Sequence, residues 1–473
     1  MSMSTENSSK TELKRDVVSR KKMASYSMGF FMNSFFLTSY NVLVFYYYEV
    51  EIGLATALVG LSFAIFAIWN MINDPLAGFL TDKPMSWSKK YGLRTPWIIS
   101  GCALTILSFY FLFAVPDVDI KSNPWPIFWY MVITTCIFDT FFSVYTTHYA
   151  GGFANIFRGK EERRKGSTIV MLFGLFGGIS VRIILIPAFI IYGDPSSFLR
   201  FALVSVVILT ICLILLLPGI YENEFVKGRY LKIYEFLETQ KMPYFQFLKT
   251  TFKTKSYMIY LTVHALWTYS YVLGQISSFY MLKDVMKFDI SVLTIIGIVF
   301  LVTYLPSLFI WSKVAKKVEH SKVYGISFVL MGCSSIIGMW QTTLLEIIIK
   351  NIIGGVAMGA FGSVMWSVTG DAVDSVNLAA GRHVEAGLIG VRNFFTRSAY
   401  IMAAVIIAGI HIATGYVPGA AQQNDLAILG IRIHSALIPA IVSWIAGFLL
   451  LKVYDIKGEK KEAQMAALRK KGL

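Results

Sequence analysis

Apolar residues run along this chain in long, nearly unbroken blocks separated by short polar connections. The blocks fall near 25–48, 53–81, 96–115, 124–150, 167–192, 198–219, 256–282, 290–311, 322–342, 344–369, 385–414 and 427–452, about twelve in all. Each has the ~17 to 25 residues that a helix needs to cross a bilayer. They are too long and too uniformly apolar for the alternating strands of an outer-membrane barrel, and a spanning backbone must satisfy its own hydrogen bonds. The fold class predicted is an all-α membrane protein. The longest polar stretch, from Ile220 to Tyr257, divides the spans six and six. The organisation expected is a tail over 1–24, a six-helix half over 25–219, a middle loop over 220–255, a second half over 256–452 and a tail over 453–473. The middle loop mixes Lys and Arg with Phe, Tyr and Leu, as an amphipathic segment on the membrane surface does.

Composition agrees. Hydrophobic residues make up 56% and charged residues 15% of the 473 positions, where a soluble domain carries about 25% charged. The net charge of +15 could serve nucleic acid, but the bases alternate by connection. Lys10, Lys14, Arg15, Arg20, Lys21 and Lys22 lie before the first span, Lys83, Lys89, Lys90 and Arg94 after the second, and Arg158, Lys160, Arg163, Arg164 and Lys165 after the fourth. The first connection has Glu49 and Glu51 with no base. By the positive-inside rule both termini face the cytoplasm, the bilayer is the partner, and no nucleic acid is expected. No cleavable signal peptide is evident. The cysteines, Cys102, Cys136, Cys212 and Cys333, fall within spans and read as small apolar residues. His148, His264, His320, His383, His411 and His434 show no metal-ligand spacing, and there is no zincin helix, P-loop or nucleophile motif. The chain is expected to be no enzyme, to hold no cofactor, and to need no more than a monomer.

Within the second span, "IWNMINDPLAGFLTD" places Asp74 inside the apolar run. A carboxylate there costs about 2.5 to 3.5 kcal/mol on insertion scales and marks ion or proton paths. Asn70, Asn73 and Asp74 are spaced i, i+3 and i+4, on one helix face. Asp139 stands in "CIFDTFF" of the fourth span, with Cys136 three residues before it. Together with "YGLRTPWI", "GDAVD" after the tenth span and the eleventh span from Glu385 to "GYVPG", these stretches resemble the glycoside, pentoside and hexuronide cation symporters, the melibiose-permease-like branch of the major facilitator superfamily. The resemblance covers nearly the whole chain. It implies two six-helix halves that rock around a central site.

By that resemblance the cation site is Asp74 with Asn70, Asn73 and Cys136, and Asp139 sits between cation and sugar. Sodium-coupled members carry a second acid where this chain has Asn70 and a hydroxyl where it has Cys136. The coupling ion expected is therefore H+ more than Na+, with transient Na+ at Asp74 the alternative. Galactoside readers carry an acid where this chain has Ser34 and a tryptophan where it has Ser143. Arg397 falls on the family's lysine that pairs with the acids. With Arg182 and His264 it could meet a carboxylate on a sugar acid, or the two arginines could only balance the two aspartates. Tyr40 is among the aromatics that could stack on a sugar ring. Gly78, Asp82, Arg94, Asp371, Asp374 and Arg382 are expected to gate the cytoplasmic ends. Glu346 and Lys350, one turn apart, are expected to form an ion pair. The function expected is secondary transport of a sugar, glycoside or sugar acid through the cell membrane by alternating access, with cation symport. A lysolipid or other amphiphile, or uncoupled facilitation, is the alternative.

Overall fold

The computed structural model describes residues 18–81, 85, 87–157, 160–223, 227, 244–381 and 384–471; the side chains of residues 74–80, 89, 154, 155, 160, 161, 163, 164, 244, 385, 386, 389, 469 and 471 lie outside that description. The described chain is helical. The first half comprises α1 (Arg20–Glu51), α2 (Thr56–Thr81), α3 (Thr95–Phe111), α4 (Trp125–Ile156), α5 (Lys165–Phe189) and α6 (Pro195–Ile220). A short helix, α7 (Tyr244–Lys253), precedes the second half. That half comprises α8 (Lys255–Tyr280), α9 (Val292–Val314), α10 (His320–Met339), α11 (Leu344–Ala380), α12 (Glu385–Thr414) and α13 (Asp425–Val453), and α14 (Gly458–Lys471) ends the description.

Among the described residues, 10 helices are long and apolar enough to cross a membrane. The remaining two of the expected twelve are α3, only 17 residues long, and α8, which is 26 residues long but diluted by Lys255, His264, Gln275 and several hydroxyl side chains. Both pack as members of the bundle, α3 against α4 and α6, and α8 against α12 and α13. The middle segment and the carboxyl tail, expected as loop and tail, contain α7 and α14. On α7 Phe247 is buried and packs with the second half's core while Phe245 is 85% exposed; most of the expected middle loop lies outside the described residues.

Local chemistry sets the helix ends. Asp194 caps α6 by accepting the Ser196 N–H at 3.0 Å, with Pro195 in the first turn. Thr343 and Glu346 form a reciprocal capping box at the start of α11. Here the expected Glu346–Lys350 pair is corrected: the Glu346 carboxylate accepts the N–H groups of Thr342 and Thr343 at 2.6 and 2.7 Å. Two backbone donors at a helix N-terminus outcompete one flexible ammonium. Gly381 and Gly415 end α11 and α12 at φ 66°, the left-handed turn where a side chain would strain.

Between helices, small residues permit close approach. Gly355 and Gly359 of α11 face Thr303 and Ser307 of α9, and the Ser307 hydroxyl donates to the Val356 carbonyl at 2.9 Å. The halves meet along α2 with α12, α5 with α9, and α1 with α8. Among the described residues, the hydrogen bonds joining the halves lie toward the end of the bundle opposite the chain termini. Thr294 donates to the Ile183 carbonyl at 2.7 Å, Arg182 bonds Gln275, and Tyr280 and His411 both meet Glu49. At the end bearing the termini, the described bonds stay within a half, as where Glu222 accepts the Arg94 N–H at 3.0 Å or Tyr257 donates to the Leu388 carbonyl at 3.0 Å.

Candidate functional site

Asp139 is 2% exposed and faces α2 from the middle of α4. A buried carboxylate needs compensating donors, and α2 supplies them: Asn70 Nδ2 bonds one carboxylate oxygen, and Asn73 Nδ2 donates to the other at 3.0 Å. One α2 turn thus presents both amides to a single acid, because three residues bring a helix back to nearly the same face. The Oδ1 atom of Asn70 is buried without a partner, an acceptor beside the carboxylate. Cys136 is half-buried, one turn before Asp139 and within its electrostatic reach. The structure therefore brings together four of the five residues expected at the cation site. The fifth, Asp74, lies in α2, but its side chain is outside the described residues.

Residues expected around a sugar scatter over several environments. Tyr40 is 3% exposed, its ring stacked at 5.8 Å on Phe138 and flanked by Phe63, Phe66 and Tyr400. It packs the joint between the halves here. Ser143 is fully buried, and Ser34 sits where α1 crosses Gly174 of α5. Arg182 bonds the neutral Gln275, whose amide in turn donates to the Tyr271 hydroxyl at 2.8 Å. Arg397 precedes Tyr400 on α12, and that ring feels both Arg397 and Asp139. His264 Nε2 lies 3.2 Å from the Thr396 hydroxyl, between the rings of Tyr260 and Trp267.

Of the expected gating residues, the Asp82 and Arg382 positions and the environment of Gly78 lie outside the description. Arg94 takes its place beside Gly151 and Tyr26 in the first half. Its backbone N–H meets Glu222, whose carboxyl burial holds above the ordinary range. Asp371 accepts from Lys461 of α14 at 2.6 Å, and its carbonyl from Gln464 at 2.8 Å. In this arrangement Asp371 ties the last helix to α11, while Asp374, one turn on, is also engaged.

A profile of the MFS/sugar transport protein family matches residues 25–458. The chain belongs to this family. It is 22% identical over 468 residues to the uncharacterized symporter YjmB of Bacillus subtilis, covering 95% of this chain and 97% of that one. It is 23% identical over 484 residues to the sodium-dependent lysophosphatidylcholine symporter 1 of Xenopus tropicalis, covering 94% and 86%. A shorter match, 27% identical over 144 residues, links it to the uncharacterized symporter sll1374 of Synechocystis and spans 26% of that protein. Among solved structures the fold is similar to that of the peptide transporter POT in mutant form, with TM-score 0.62, 11% identity and coverage of 92% and 94%. A mutant of the nucleoside transporter NupG gives TM-score 0.60, 13% identity and coverage of 92% and 100%. The family assignment agrees with the resemblance read from the second, fourth and eleventh spans. The protein is a multi-pass membrane transporter of this family.

Sequence reasoning missed one group. Glu49, taken as an acid of the first connection, is corrected: it is 0% exposed within the last turns of α1, held by Tyr280 and His411. The α1 helix reaches it through two π-helical turns, 40–44 and 47–51. A polar residue at the end of an apolar block reads as connection unless its distant partners are known.

Proposed function

We propose that this chain moves a sugar, glycoside or sugar acid across the cell membrane by alternating access, coupled to H+ more than to Na+, with both termini cytoplasmic. The observation that carries the reading is Asp139, a carboxylate buried between two helices of the bundle that accepts from the side-chain amides of Asn70 and Asn73. A sodium ion needs several oxygens turned toward it, whereas Asn70 and Asn73 turn their nitrogens toward the carboxylate. A proton needs only one basic oxygen. Substrate binding to both halves would then shift the balance between a form open at the cytoplasmic end and one open at the other. Arg397 and Arg182 suit an anionic group on the substrate, since a guanidinium keeps its charge and offers a planar fork.

A second reading is favoured by one observation, the near full-length similarity to a protein named as a sodium-dependent lysophosphatidylcholine symporter. In that reading the cargo is a lysolipid and Na+ the coupling ion. One experiment separates the two: thermal stability of the purified protein against neutral sugars, glycosides, uronates and lysolipids, at two pH values, in sodium or potassium. Stabilisation by a sugar or uronate that responds to pH more than to sodium, and that Asp74→Asn or Asp139→Asn removes, supports the first reading. Stabilisation by lysolipid alone, enhanced by sodium, replaces it with the second.

A further inference from the structure

The joint opposite the termini holds an unusual run of ionisable groups. Glu49 of α1 accepts the Thr56 hydroxyl at 2.6 Å, the Tyr280 hydroxyl, and Nδ1 of His411 at 3.0 Å. Nε2 of His411 lies 3.2 Å from Nε2 of His434, and Nδ1 of His434 lies 2.7 Å from the Ser277 hydroxyl. Both histidines are 1% exposed or less. From the connection after α12, Tyr416 stacks on His411 with ring centres 4.1 Å apart and donates to Asp284 at 2.9 Å. Beyond these, Lys283 lies over the rings of Tyr46 and Tyr192, and Glu51 accepts the Gly193 N–H. These are the charged and titratable groups that α1, α13 and the segments following α5, α8 and α12 turn toward the cluster; α2 contributes the neutral Thr56. Glu49 belongs to one half and both histidines to the other.

Two imidazole nitrogens facing each other need one hydrogen between them. Two of the arrangements that satisfy this keep Glu49 ionised and place any extra proton on His411. In one, His411 is an imidazolium donating to Glu49 and to His434, and His434 donates to Ser277. In the other, His411 is neutral and accepts from His434, which accepts the Ser277 hydroxyl. They differ by one proton and by no heavy-atom bond.

We propose that Glu49, His411 and His434 form a proton-binding site that takes up one proton from the outer aqueous phase as the halves close at this end and releases it there as they part. The proposal rests on the alternating-access reading. With the proton aboard, an imidazolium neutralises the buried carboxylate across the joint, as a buried charge requires. Without it, Glu49 keeps only neutral donors, and water entering a parted joint serves it better. Raising the pH therefore opens this end, and the coupling is reciprocal.

The test uses the full chain in lipid nanodiscs, with Asp117→Cys and Gln422→Cys on exposed connections of the two halves and the exposed Cys333→Ser. Paired spin labels report the distance between the outer ends by pulsed electron resonance from mildly acidic to mildly basic pH. The expected result is a ratio of open to closed distances that rises about tenfold with pH, within the usual range for linked sites. His411→Gln and His434→Gln should each flatten that dependence, and Glu49→Gln, which removes the buried charge and keeps an acceptor for the same donors, should hold the joint closed at every pH. Each variant is required to remain monodisperse, and His434→Gln serves if His411→Gln does not fold. A dependence that survives in both histidine variants overturns the proposal, as does a flat wild type or a Glu49→Gln variant whose ends still part as the pH rises. Ends that part in no sample overturn the alternating-access reading as well.

Discussion

Asn73→Leu removes one of the two amide donors described on Asp139 while keeping the side chain's size. Both residues are buried, at 4% and 2% exposure, and the bond is 3.0 Å long. A hydrogen bond to a charged group contributes about 1.5 to 3 kcal/mol, a neutral one roughly 0.5 to 1.5 kcal/mol. In the wild-type background Asn73→Leu is therefore expected to cost about 2 to 3 kcal/mol, because the carboxylate stays buried with one partner fewer. In an Asp139→Asn background the same change removes only a neutral bond, so the coupling between the two positions should be about 1 to 2 kcal/mol. Equilibrium unfolding in mixed detergent micelles, followed by tryptophan fluorescence, measures all four corners of this double-mutant cycle. Asn70→Leu provides a second cycle, because its amide meets the other carboxylate oxygen. Additivity within about 0.5 kcal/mol in both cycles would refute the reasoning. It would mean that Asp139 draws its compensation from elsewhere, and the α2 amides could no longer be the reason this acid is tolerated in a span.

In α11, Gly359→Leu and Gly370→Ala should move stability in opposite directions. A side chain at Gly359 meets Ser307 and the backbone of Leu308, whereas a methyl at Gly370 meets nothing; the first should cost about 1 to 3 kcal/mol and the second gain up to about 1 kcal/mol, in the same unfolding assay. Burial holds the Glu222 carboxyl above its ordinary range, so its contribution is full below the unfolded value and declines as pH rises through the folded one. Glu222→Gln, which keeps an acceptor for the Arg94 N–H, should therefore exceed wild type in stability at neutral pH and lose that advantage near the ordinary carboxylate value, about pH 4.3; an advantage constant with pH would show that the carboxyl does not titrate across this window.

The spans and their six-and-six division were legible because apolar length is a local property, and the bilayer fixes how much is needed. The α2–α4 grouping was legible in part. Asn70 and Asn73 announce a shared face by spacing, whereas their meeting with Asp139 was expected only from the family resemblance, since a helix face does not say which neighbour it meets. Glu346 misled, since i and i+4 spacing to Lys350 is also local, yet the free N–H groups of the helix start lay nearer. Arg182 posed a harder problem. Its partner Gln275 is 93 residues away, and a neutral amide across the joint gives no charge pattern to read.

The least legible group is the one that joins the halves. Glu49 and His411 are 362 residues apart, and no spacing in the sequence pairs them. What such a joint must do explains its composition. An apolar seal at this end would part only by exposing its whole surface to water, at about 25 cal/mol for each Å², with nothing gained in return. Hydrogen bonds from Tyr280 and His411 to Glu49 cross the joint and are exchanged one for one with water when it opens, so their net contribution is far smaller than their strength in the closed form. A polar cluster therefore holds the halves in register while closed and yields at modest cost. Tyr40, Phe63, Phe66 and Tyr400, packed deeper along the same joint, supply the apolar part and keep water from the ionisable groups. Position along the joint, more than residue type, decides which of these contacts acts as a seal and which as a hinge for proton-dependent opening.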